Sequence, residues 1–108
     1  MRALKFIVTN QIVTKDPKCD FSGLVPGTEE YLQAEFSFSP EWNGCAKVVE
    51  FSSMMGYPYP PRILSGGTTC MIPAEALERR SFRIKVLGKK QGFKIATNKL
   101  TIEQDGGR

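Results

Sequence analysis

Residues 32–51 read LQAEFSFSPEWNGCAKVVEF, and their pattern decides the fold class. Leu32, Ala34, Phe36 and Phe38 fall on one face of an extended chain, with Gln33, Glu35, Ser37 and Ser39 on the other. That period of two is the mark of a half-buried strand. In the second run Val49 and Phe51 share a face with Cys45 and Lys47, and Ala46, Val48 and Glu50 share the opposite one. Between the runs, Pro40 fixes φ and Asn43-Gly44 tolerates positive φ, so the chain turns there. The expectation is a β-hairpin or a short connection between two sheets, with Trp42, the single tryptophan, closing one end of a core.

The same alternation recurs on both sides of this stretch. Leu4, Phe6 and Val8 alternate with Lys5, Ile7 and Thr9, and Asn10-Gln11 turns this strand into a short Ile12-Val13 segment. Residues 15–28, with Asp16, Pro17, Asp20, Gly23, Pro26 and Gly27, read as a loop. Cys19, Phe21, Leu24 and Val25 predict that part of it packs down, as one more short strand. Pro58, Pro60 and Pro61 donate no ladder hydrogen bonds, so residues 52–62 form an edge strand or a polyproline-like loop. Ile63-Leu64 resumes a strand, Ser65-Gly66-Gly67 turns, and Thr68 to Ile72 make another. Pro73 suits the first position of a helical turn near residues 74–79, with acids early and bases late.

Phe82, Ile84 and Val86 alternate with Arg83, Lys85 and Leu87, the clearest half-buried strand. A basic turn over residues 88–92, a return strand at 93–96, a kink at Thr97-Asn98 and a last strand at 100–103 follow. The prediction is an all-β chain, an immunoglobulin-like antiparallel β-sandwich of about 7–9 short strands with one short helical turn. Residues 1–103 form the single domain and 104–108 a flexible C-terminal tail.

A chain of 108 residues is one domain with one core. The absence of histidine removes the commonest general base and metal ligand together. Cys19, Cys45 and Cys70 are odd in number, without a CxxC pair, and read as small buried hydrophobes rather than a disulfide framework. Glu29, Glu30, Glu41, Glu50, Glu75 and Glu78 sit in no catalytic motif. No catalytic residue, cofactor or metal is therefore expected. No apolar run reaches the roughly 20 residues of a membrane helix. Residues 1–8 suit a first strand better than a secretory signal, so the expected place of synthesis is the cytoplasm of the producing cell.

Two surfaces are candidates for binding. Met54, Met55, Tyr57, Tyr59 and the prolines before Arg62 make an adaptable apolar segment stiffened against entropy loss, so Met55, Tyr57, Tyr59 and Arg62 are candidate partner contacts. The chain carries a net charge of +4, and Arg83, Lys85, Lys89 and Lys90 give its last third a candidate basic face. Such a face contacts phosphates or guards a sheet edge. No interleaved aromatics of a single-strand-binding platform accompany it, so nucleic acid stays an alternative.

Taken together these residues resemble a group of small virion structural proteins of tailed phages and prophages of Gram-positive bacteria. The resemblance lies in Phe36-Ser37-Phe38, Glu41-Trp42-Asn43-Gly44, the Lys47 to Phe51 strand, Cys70-Met71-Ile72-Pro73 before a helical turn, Phe82 to Gly88, and Thr97-Asn98. It spans about residues 30 to 103, and residues 54–62 stand outside the pattern. The family is similar to the immunoglobulin-like modules of baseplate and fibre proteins. The resemblance implies a non-enzymatic part of the capsid, tail or baseplate, located in the virion and binding other virion proteins, with a homo-oligomer expected. Edge pairing or loop insertion would make the contact. A carbohydrate or host-surface module stacking sugars on Trp42, Tyr57 and Tyr59 is a second expectation, and nucleic-acid binding by the basic third is another.

Overall fold

The computed structural model describes residues 1–105. Nine strands form among them: β1 (Arg2–Thr9), β2 (Ile12–Lys15), β3 (Leu32–Phe38), β4 (Ala46–Ser52), β5 (Arg62–Ile63), β6 (Thr69–Met71), β7 (Ser81–Lys90), β8 (Phe93–Ala96) and β9 (Leu100–Glu103). One sheet has the order β2-β1-β3-β6, the other β5-β4-β7-β8 with β9 also paired to β7. The fold is the expected all-β sandwich. Of the two readings of residues 32–51, the inter-sheet connection is the one formed, because β3 and β4 lie in different sheets.

β1 and β3 run parallel, Phe6 beside Phe36 and Val8 beside Phe38, whereas the other pairings among the described residues are antiparallel. A parallel neighbour needs a long crossover, which the loop between β2 and β3 supplies. That loop contains no strand of its own. Leu24 is buried and Phe21 packs on the core, while Val25 is exposed. The helical turn is a 3-10 turn, Ala74–Leu77, shorter than expected, and Pro73 caps it rather than opening it. It buries Ala76 and Leu77.

The inward residues of both sheets make one core. A file of rings runs through it: Phe21 lies 5.4 Å from Phe6, Phe6 5.1 Å from Phe36, Phe36 6.0 Å from Phe38 and Phe38 5.2 Å from Trp42. Trp42, on the 3-10 turn Pro40–Trp42, is fully buried, and its Nε1 donates to the Asn10 carbonyl at 2.8 Å. Burying an indole demands such a partner.

β7 holds the second sheet together. Its first half pairs β9 and its second half pairs β8, so the chain must bend between those two strands. Thr97 makes the bend: its N–H donates to the Val86 carbonyl at 3.0 Å, and its Oγ1 accepts from the Val86 N–H at 2.9 Å. Beside it, Asn98 donates from its backbone to Gln11 and accepts from the Val13 N–H at 2.8 Å, tying the second sheet to β2 of the first.

The expected tail is corrected where the structure describes it. Gln104 is buried, its Nε2 donating to the carbonyls of Leu77 (3.0 Å) and Arg79 (2.7 Å). The Asp105 carboxylate accepts from the Gly23 N–H at 2.6 Å. The amide is held here by carbonyls at and just past the end of the 3-10 turn, that of Leu77 also accepting from the Gly27 N–H at 2.8 Å. Residues 106–108 of the expected tail lie outside the described residues.

Candidate functional site

The segment between β4 and β5 folds back on itself around Ser53. The Ser53 Oγ accepts from the N–H groups of Met55 (3.2 Å) and Tyr57 (3.0 Å), and its backbone N–H donates to the Tyr57 carbonyl at 2.8 Å. Gly56 adopts φ +92°, the left-handed backbone this tight loop needs. The loop end is pinned by Tyr59 N–H to the Phe51 carbonyl at 2.8 Å. Met55 and Tyr57 consequently stand out, 87 % and 73 % exposed, while Tyr59 is half-buried against the core.

This loop faces the segment around the Ala74–Leu77 turn, and the two enclose an open groove of about 520 Å³. Met54, Met55, Tyr57 and Tyr59 form one wall, Glu75, Glu78, Arg79 and Arg80 the other. The apolar wall suits an aromatic or aliphatic side chain. Carboxylates and guanidiniums opposite it suit charged flanks on either side of that anchor. Three of the four candidate contacts meet here. Arg62 does not: it lines a separate hollow with Glu29, Glu30, Met71 and Glu75.

Sequence reasoning missed the second wall and Ser53. The charged wall comes from a distant part of the chain, so no local pattern reveals it. Ser53, followed by Gly56, carries the local signal of a serine-centred turn, which could have found it.

The candidate basic face is divided. Arg83, Lys85 and Lys89 point outward from β7, and Lys94 stands opposite Lys89. Glu50 faces Lys85 across the pairing with β4 and offsets it. Lys90 falls on the other side of the strand, where its Nζ donates to the Asn43 carbonyl at 2.9 Å and sits 5.0 Å from the Phe93 ring centre. The alternation that places Arg83, Lys85 and Lys89 together excludes Lys90.

The groups with shifted acidity lie outside the groove. Bonds from the Ser22 hydroxyl and N–H hold Asp20 below the usual carboxylate range, and the Ser39 hydroxyl and its own N–H do the same for Glu41. Burial pushes the Cys70 thiol up to about 12, and all three cysteines are free. Among the described residues no group of three or more His, Cys, Asp or Glu is placed to hold a metal ion, and no helix is long and apolar enough to cross a membrane. Comparison with protein-family models, curated proteins and solved structures finds no match to this chain.

Proposed function

We propose that this chain is a non-enzymatic virion structural protein, made in the host cytoplasm, that binds other virion proteins through the Met54–Tyr59 groove. The observation that carries the reading is the groove itself: an exposed Met-Tyr loop, held rigid by Ser53 and opposed by charged residues. A rigid loop loses little entropy on binding, and Tyr and Met are residues that anchor interfaces. The virion context rests on the resemblance carried by residues 30–103.

Mass spectrometry of purified particles tests it. The chain is expected in particles, and a Met55→Ala, Tyr57→Ala variant is expected to fold normally but to be left out. Both positions are exposed, so the change in stability stays within about 0.5 kcal/mol. Absence of the wild-type chain from particles overturns the proposal. The sugar-binding alternative is weakened because Trp42 is inside and Tyr59 packs on the core, leaving Tyr57 as the one fully presented ring of the three.

A further inference from the structure

The outward face of the second sheet carries an apolar row that no sequence pattern announced. Ile63 on β5 faces Val48 on β4, Val48 faces Leu87 on β7, and Leu87 faces Ala96 on β8. Side chains opposite one another point to the same side of a sheet, so the four form one band across four strands. Ile63 is 78 % exposed and the other three are half-buried. The neighbouring row toward the Lys90 end is Ala46, Lys89 and Lys94 and holds no carboxylate.

The same chain carries the complement. Glu29 and Glu30 line the hollow beside β5; exposed Tyr31 follows them directly, and exposed Val25 lies on the same loop, ahead of Pro26-Gly27-Thr28. Consecutive residues of a strand point to opposite sides, so Arg62, in the hollow, and Ile63, on the outer face, place the two surfaces on opposite sides of β5. One molecule can use both at once.

We infer that this outer face docks a second copy of the chain head-to-tail, Val25 and Tyr31 of one copy covering Ile63, Val48 and Leu87 of the next, with Glu29 and Glu30 against Lys89 and Lys94. The inference rests on the reading of the chain as an assembly module, but none of the residues placed in this contact lines the groove. Face-to-face pairing of two such sheets is disfavoured, because each face carries Arg83, Lys85, Lys89 and Lys94 against Glu50 and Glu103. Nucleic acid is also a poor occupant, since phosphates leave an apolar band uncovered. A heterologous contact closes into a ring or runs on as a filament. Strand spacing and rise give a footprint of roughly 20 by 27 Å, about 500 Å² per partner. A standard stable interface buries about 800 Å² per partner, so the contact is weak and assembles at high local concentration.

Sedimentation of the full chain over a concentration series at low salt tests this. Mass is expected to rise with concentration and to fall back when salt shortens the Debye length. Lys89→Glu with Lys94→Glu keeps the like-charge pair across β7 and β8, so folding is unaffected, yet it weakens assembly about a hundredfold. Glu29→Lys with Glu30→Lys does the same from the other side. Mixing the two variants restores assembly, because the unaltered surfaces of each meet as in the wild type and the two charge-reversed surfaces attract each other as well. A wild-type chain that stays monomeric, variants that still assemble, or loss in only one of them overturns the inference. So does salt-dependent retention of a duplex DNA probe that Ile63→Ser leaves unchanged. Tyr57→Ala leaves self-assembly intact, so loss of particle incorporation and loss of self-assembly are read separately.

Discussion

Gly88 shows how one residue can be fixed by a partner half a chain away. It occupies an inward position of β7 directly against Trp42, and a Cβ there would lie 2.7 Å from both Cε3 and Cζ3 of the indole. Neither can retreat easily, because the ring is fully buried and anchored through Nε1 to Asn10. Gly88→Ala is therefore expected to cost about 1–3 kcal/mol through overpacking. Chemical denaturation reads the loss, and the Trp42 emission of the folded variant shifts to the red as the ring is pushed outward. An unchanged midpoint and spectrum would contradict the packing described here. The tryptophan's role as a core plug was legible in residues 32–51, from its place between two apolar runs. The demand for glycine at position 88 was not, since it arises only when β4 and β7 pair and bring the turn over the end of β7.

At the scale of elements, period two made the strands legible, while the choice of sheet was invisible. Residues 32–38 and 46–52 have the pattern of a hairpin, and only their partners show that β3 joins β1 and β6 while β4 joins β7. The Thr97-Asn98 kink was legible as a break between two strands, and its work became visible only against β7 and β2. Thr97 Oγ1 is the acceptor for the Val86 N–H at 2.9 Å in the buried interior. Thr97→Val keeps the shape and removes that acceptor, leaving a buried donor unsatisfied at a cost of about 1–3 kcal/mol. Thermal unfolding is the check, with amide exchange at Val86 expected to quicken. The candidate site was half legible for the same reason as the sheets. The Met-Tyr-Pro wall is one contiguous stretch, whereas the charged wall comes from residues 75–80.

Across the whole molecule, the two sheets share one core and are fastened at both ends. At one end Trp42 and the Asn98 bonds to β2 join them. At the other, Gln104 holds the carbonyls of Leu77 and Arg79, while Asp105 holds the Gly23 and Leu24 backbone. A polar C-terminal sequence gave no sign of this, because the bonds go to backbone carbonyls that any sequence offers. Gln104→Ala removes the Arg79 carbonyl's donor and one of two from the Leu77 carbonyl, which keeps the Gly27 N–H, with an expected cost of about 1 kcal/mol. In a single cooperative unit that loss must register everywhere at once. The Trp42 emission, though it reports the opposite end, should shift its unfolding midpoint by the same amount as the far-ultraviolet circular dichroism. If the dichroism midpoint fell while the Trp42 midpoint stayed, the Leu77–Arg79 end would open on its own, and the groove wall built from residues 75–80 would be a hinged element rather than a fixed one.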